Sequence, residues 1–323
     1  DGDSSLRNRP MERVAIPLRC MGANIECSDN GKPPVRIRGA SLTGIEYELP
    51  VPSAQLKSAI LFAGVQAEGL THVVETVPSR DHTEILLKSC GANIQKTADG
   101  WSVSRSSLTM PQRYHVPGDI SSACFFLCAS IIVSGSTVLA QRVLLNPTRI
   151  GAINVLERMN ANIRVFDQVL IDTSTDGRSG EVYGKIEAQF SKDLLPFEVS
   201  AKETPLLVDE VPILALVATQ ANGTSIFNDV SELRVKESDR VEAIMSQLNS
   251  MGAKIETVGD SLLIHGPTKL RMAKKLKSFG DHRIAMTLKI AGLLADYRPE
   301  IDDEICGRIS YPNLDEKGRK LLK

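Results

Sequence analysis

The chain has 323 residues, 42% apolar and 24% charged, a balance that excludes a disordered polymer and suits about two domains. Its 38 Lys and Arg against 39 Asp and Glu give a net charge of −1, so no global field draws it to nucleic acid or to an anionic membrane. The longest apolar run, Ala123 to Val133, falls well short of the ~18 residues of a membrane span, and the polar start Asp1-Gly2-Asp3 is unlike a signal peptide.

In chain order, Arg13 to Cys20 reads as a helix running into Met21-Gly22-Ala23-Asn24-Ile25, with Asp29-Asn30-Gly31 as the turn of a following hairpin. An apolar helix over 53–67 ends near Gly69 and enters a strand at Leu70 to Val74. Thr83 to Lys88 carries apolar residues at helical spacing and leads into Cys90-Gly91-Ala92-Asn93-Ile94, then a hairpin turning at Ala98-Asp99-Gly100. The pattern then recurs. A helix over 119–133 passes Gly135 into the strand Thr137 to Leu139, and Met159-Asn160-Ala161-Asn162-Ile163 follows. A helix over 208–221 passes Gly223 into Thr224 to Phe227, and Met251-Gly252-Ala253-Lys254-Ile255 precedes a turn at Val258-Gly259-Asp260. A last apolar helix covers 281–295.

One five-residue pattern is thus written four times, starting at residues 21, 90, 159 and 251, which are 69, 69 and 92 residues apart. Repetition of this kind marks one supersecondary unit used several times. The unit is helix, strand, helix, hairpin, and its crossovers make each local sheet mixed; an α/β fold follows. The small Gly or Asn after each second helix suits a helix C-terminus. The first unit shows only its second half and the last has no closing hairpin. The register therefore predicts a chain that starts in mid-unit, with about a hundred residues of repeat before Asp1.

Six cysteines are widely spaced, and although Cys124 and Cys128 lie four apart, no His or second Cys pair completes a zinc pattern. They read as buried free thiols, and the compartment as the cytosol.

The unusual residues sit where loops enter helices. Val51-Pro52-Ser53-Ala54-Gln55, Pro117-Gly118-Asp119, Val208-Asp209-Glu210 and Gly280-Asp281-His282-Arg283 open the first helices. Pro78-Ser79-Arg80-Asp81-His82, Asn146-Pro147-Thr148-Arg149 and Arg234 to Arg240 open the second ones. Free N–H groups and the positive dipole end make such starts anion sites. Taken singly, Ser53, Ser79 and Asp209 read as ordinary N-caps. Lys236, Glu237 and Arg240 are expected within a turn and a half of helix, Lys236 and Arg240 on one face with Glu237 beside them. That run reads either as a solvated, ion-paired helix end or as a clamp that holds an anion and moves a proton.

Taken together, Gly2-Asp3-Ser4-Ser5-Leu6-Arg7-Asn8-Arg9-Pro10-Met11, Pro52 to Ala59, Ser79 to Glu84, Asp209-Glu210-Val211-Pro212, Arg234 to Arg240 and Gly280 to Arg283 resemble, in order, the motifs of the 5-enolpyruvylshikimate-3-phosphate synthases. The likeness runs from Gly2 to about Pro312. It implies a two-domain inside-out barrel of repeated βαβαββ units, with the first unit and part of the second domain truncated. It places the shikimate-phosphate side in residues 1–117 and the phosphoenolpyruvate side in 118–323, two lobes that open and close around a charged cleft.

The activity so implied is transfer of the enolpyruvyl group of phosphoenolpyruvate to the 5-hydroxyl of shikimate 3-phosphate, releasing phosphate, on the route to chorismate and the aromatic amino acids. The family works by addition and elimination through a tetrahedral intermediate, needs no metal or organic cofactor, and is the target of glyphosate. Position by position, Ser53, Ala54, Ser79 and Lys236 resemble shikimate 3-phosphate contacts, Ser53 and Ser79 on the phosphate, with Gln55 shared between both substrates. Arg9, Arg240 and Arg283 resemble the phosphoenolpyruvate clamp, Asp209 the base at the 5-hydroxyl, and Glu237 the carboxylate handling the methylene proton. His282 resembles a supporting or capping residue. The family's Lys-Ser-x-x-x-Arg and Asn-Ala-Gly-Thr loops are not found, so the chain is expected to lack the N-terminal portion and to need that segment as a partner. Ile309 stands where some members have a Lys, beside Arg308. The rival within this chemistry, UDP-N-acetylglucosamine enolpyruvyl transferase, fits Ser53-Ala54-Gln55 and Arg234 to Arg240 less well. A further reading is an inactive or split enzyme.

Overall fold

The computed structural model describes residues 1–2, 4–110, 114–172, 180–303, 306–307 and 311–312. They form two compact units: residues 1–116 with 170–181, and residues 117–169 with 182–323.

The first unit begins with a short helix α1 (Ser4–Arg7), then α2 (Glu12–Cys20) and an antiparallel hairpin of β1 (Asn24–Glu26) and β2 (Arg36–Arg38). A complete repeat follows: β3 (Glu46–Glu48), α3 (Ala54–Gly64), β4 (Leu70–Val74), α4 (His82–Ser89), β5 (Ile94–Lys96) and β6 (Gly100–Ser104). Its sheet has the order β3-β4-β6-β5; β3 and β4 run parallel across α3, and β6 is antiparallel to both neighbours. Leu56, Ile60 and Leu61 of α3 pack with Val73, Leu87, Val103 and Met21 in one core, so the helices are held by their apolar faces against the sheet.

The second unit repeats that order. Here α5 (Ile120–Ile132), β7 (Thr137–Leu144), α6 (Gly151–Arg158), β8 (Asn162–Asp172) and β9 (Gly180–Gln189) give a β7-β9-β8 sheet, with a parallel bridge from Gly118 to Val143 in place of the opening strand. Next, β10 (Glu198–Val199), α7 (Val211–Ala218), β11 (Gly223–Phe227), α8 (Arg240–Ser250), β12 (Lys254–Val258) and β13 (Ser261–Gly266) form the sheet β10-β11-β13-β12. Helix α9 (His282–Leu294) then lies between the parallel-bridged residues Leu276 and Ile301. All eight residues of α7 are buried, and α5, α7 and α9 pack on one another. Helices so apolar on every side have to lie inside, with sheets around them, as an inside-out barrel requires.

The four copies of the repeated pentapeptide fold identically. Gly22, Gly91, Asn160 and Gly252 all take positive φ, at 97°, 84°, 58° and 96°. The amide of the next residue returns five positions to the helix: Ala23 to Leu18, Ala92 to Leu87, Ala161 to Leu156 and Ala253 to Leu248, each at 2.9–3.0 Å. That is the Schellman closure, which needs a residue tolerant of the left-handed region, and it explains why only Gly and Asn occur there.

Two local expectations need correcting. Arg234 to Arg240 is not one helix: Ser231–Val235 forms a 3-10 turn, Lys236 is extended, and α8 starts only at Arg240. The cause is Asp239, whose side chain accepts the Glu242 amide at 3.0 Å and fixes the helix start behind it. Lys236 and Arg240 therefore do not share a helical face. The cysteines are all free thiols, but only Cys90, Cys124, Cys128 and Cys306 are buried; Cys20, at the end of α2, is exposed and Cys27 is half-buried.

Candidate active site

In the first unit the charged and polar residues gather at the N-termini of α3 and α4. Ser53 caps α3: its hydroxyl accepts the Leu56 amide at 3.3 Å, while the Ser53 carbonyl accepts the Lys57 amide at 3.0 Å. Ala54 and Gln55 are the first two helical residues, whose amides have no acceptor within the helix. The exposed Gln55 accepts a hydrogen bond from Arg13 at 3.0 Å. Ser79 is not the cap of α4, a place occupied by Asp81. Instead its amide and hydroxyl both donate to Glu75 Oε1, at 3.1 and 2.5 Å. Ser58 of α3 and Thr83 of α4 join their hydroxyls at 2.6 Å, which ties the two helix starts together. Arg9 is half-buried just after α1, its amide donating to the Leu6 carbonyl at 3.0 Å.

The second unit gathers three arginines around one aspartate. Asp209 lies just before α7, with Glu210 rather than itself at the cap position. Its carboxylate meets Arg240 at 3.4 Å and Arg149 and Arg283 at 3.6 Å each, and its carbonyl accepts from Arg283 at 3.1 Å. Arg240 is fully buried. Its Nε donates to Asp281 at 2.8 Å, its Nη2 to Glu237 at 2.6 Å and its Nη1 to Asp209. Burial works against the Arg240 charge, but Asp281 and Glu237 outweigh it and raise its pKa. Lys236 pairs with Glu232.

The start of α9 is fixed by Asp281, whose Oδ1 accepts the Arg283 amide at 2.9 Å while Oδ2 takes Arg240. His282 is the first helical residue and does no capping. Burial, with Arg283 beside it, lowers the His282 pKa and favours the neutral ring. Beside it a pocket of about 250 Å³ is lined by Asp119, Ser121, Ser122, Phe125, His282, Arg283 and Met286. Behind that pocket Arg149 donates to Ser121 at 2.5 Å, and Ser121 pairs with the fully buried Glu210.

Asp281, Arg149 and Glu210 stand in the quoted helix starts, yet sequence reasoning assigned them no role. The signal was an acid or a base in an otherwise apolar helix start, which here means burial with a partner. Ile309 and Arg308 lie outside the described residues. Among the described residues no cluster of three His, Cys, Asp or Glu is placed to hold a metal ion.

A family model described as EPSP synthase (3-phosphoshikimate 1-carboxyvinyltransferase) matches residues 1–317. The chain belongs to this family. Relatives named 3-phosphoshikimate 1-carboxyvinyltransferase from Bacillus pumilus and Bacillus velezensis are each 43% identical over all 323 residues, and the alignment covers 74% of each relative. An EPSP synthase structure from Acinetobacter baumannii superposes with a TM-score of 0.86 at 36% identity, over 99% of this chain and 72% of that one. The enolpyruvyl transferase NikO from Streptomyces tendae, at 19% identity and a TM-score of 0.73 over 98% of this chain and 72% of its own, shares the fold. The described residues thus have the EPSP synthase fold.

Proposed function

We propose that this EPSP synthase family member transfers the enolpyruvyl group of phosphoenolpyruvate to the 5-hydroxyl of shikimate 3-phosphate, releasing phosphate. The observation that carries the reading is the meeting of Asp209 and Glu237 on the Arg240 guanidinium. The reaction needs one group to take the 5-hydroxyl proton, another to handle the proton at the methylene carbon, and cations for phosphate and carboxylate. Asp281 holds Arg240 from its Nε side, which leaves the two terminal nitrogens for Asp209 and Glu237.

An anionic substrate that takes those nitrogens bidentately displaces both carboxylates from the guanidinium. Losing a cationic partner raises a carboxylate's proton affinity, so arrival of phosphoenolpyruvate turns Asp209 and Glu237 into better bases. The contacts of Asp209 with its three arginines, 3.4–3.6 Å, are long enough to be given up easily. In this reading Asp209 accepts the 5-hydroxyl proton and Glu237 moves the proton of the methylene carbon. Arg9, Arg240 and Arg283 hold phosphoenolpyruvate, and Ser53, Ala54, Gln55, Ser79 and Lys236 contact shikimate 3-phosphate. No metal or organic cofactor enters the reaction. The cytosolic setting belongs to the same proposal, supported by six free thiols.

Calorimetric titration separates this acceptor from its rival. The chain should bind shikimate 3-phosphate and leave UDP-N-acetylglucosamine unbound; the reverse preference would overturn the assignment.

A further inference from the structure

Lys57 sits in the first turn of α3 and its side chain is fully buried. Its ammonium pairs with Glu75 Oε2 at 2.9 Å and Glu84 Oε1 at 2.6 Å, both on side chains with at most 5% exposure, and lies 3.5 Å from the Ser79 carbonyl. The other oxygen of Glu75 accepts the amide and the hydroxyl of Ser79. Glu75 therefore spends one oxygen on Lys57 and the other on Ser79. Every one of these contacts asks it to accept, and only a carboxylate has an acceptor on both sides; glutamine has one.

Three charges taken out of water are a poor way to stabilise a core, because apolar residues of the same volume do it as well or better. Such a group is better explained by what it places. We propose that the Lys57–Glu75–Glu84 triad is a positioning device that sets Ser79 for the phosphate group of the substrate, Glu75 acting through Ser79. The proposal rests on the reading of Ser79 as a phosphate contact.

In the unliganded chain Glu75 holds the Ser79 hydroxyl; a phosphate oxygen takes that hydroxyl over while the Ser79 amide stays on Glu75 and keeps the loop in place. Lys57 neutralises Glu75, so an arriving dianion does not face a bare carboxylate. Burial pushes the Glu84 pKa up, against the pull of Lys57, and a proton on Glu84 leaves Lys57 and Glu75 as a matched pair. The triad spans α3, the loop after β4 and α4, so it also carries the Ser53 cap and the Ser79 loop on one rigid support.

The test is a double-mutant cycle read by calorimetric titration with shikimate 3-phosphate. Ser79→Ala and Glu75→Gln should each weaken binding about tenfold, as loss of a hydrogen bond to a charged group does, and the double variant should bind no more weakly than either single one. A Lys57→Met, Glu75→Gln, Glu84→Gln chain removes all three charges together and keeps a filled core; it should remain folded and show the same tenfold loss. Wild-type affinity in Glu75→Gln or in the uncharged triad, or additive losses in the double variant, would overturn the proposal and leave the Ser79 reading standing. Wild-type affinity in Ser79→Ala would remove the reading itself.

Discussion

Asp281 shows what a single residue does for this site. Its two carboxylate oxygens serve two arginines that lie 41 and two positions away: one accepts the Arg240 Nε–H, the other the Arg283 amide at the start of α9. Asparagine can keep the cap or the guanidinium contact on its one oxygen, not both. Asp281→Asn should cost about 3 kcal/mol, the scale of breaking a buried ion pair, and a urea midpoint shift worth less than about 0.5 kcal/mol would contradict that. The Asp281-His282-Arg283 triplet was visible in the sequence as an oddity at an apolar helix start. Its partner was not, because Arg240 is distant in the chain and nothing local points to it. Arg9 belongs to the same scale. In an active form of the enzyme, Arg9→Ala should raise KM for phosphoenolpyruvate far more than for shikimate 3-phosphate, since a guanidinium pairs bidentately with carboxylate and phosphate oxygens. Equal rises for both substrates would remove Arg9 from the clamp.

Among the elements, α7 carries the least comfortable group. Glu210, at its N-cap position, is fully buried; burial raises its pKa above the ordinary value of 4.5, Arg149 pulling the other way. A carboxyl whose folded pKa is raised adds stability while it is protonated and loses it as pH climbs from 4.5 through the folded value. The neutral Glu210→Gln chain should therefore gain on the wild type in melting temperature as pH rises from 5 to 8. A difference that stays constant over that range would show that Glu210 does not titrate as its burial dictates. The helices themselves were legible, since their apolar spacing and the Gly or Asn that closes them are written four times. The entry to α8 was not. Charges at Lys236, Glu237 and Arg240 mimic helical spacing, but the Asp239 cap decides where the helix begins, and a cap competes with propensity through one hydrogen bond that no periodicity reports.

For the whole chain, repetition made the architecture readable. One βαβαββ unit with the strand order first-second-fourth-third returns in three sheets, complete in β3 to β6 and in β10 to β13. Each repeat presents apolar helices, and α5, α7 and α9 bury theirs against one another in one core, so local pattern and long-range packing agree, which is the condition under which sequence reading succeeds. The assignment of residues 170–181 to the first unit had no such signal. The site was half legible: its anion-binding helix starts are local features, whereas the ion pairs that orient Arg240, Asp209 and Ser79 join residues far apart in sequence. The site as a whole is tested by phosphate release from phosphoenolpyruvate by the chain supplied with its expected N-terminal segment, followed with shikimate 3-phosphate as acceptor and with UDP-N-acetylglucosamine in parallel. Release that depends on shikimate 3-phosphate, with none from the nucleotide sugar, is the expected result; release with the nucleotide sugar, or none with shikimate 3-phosphate, would contradict the proposed function.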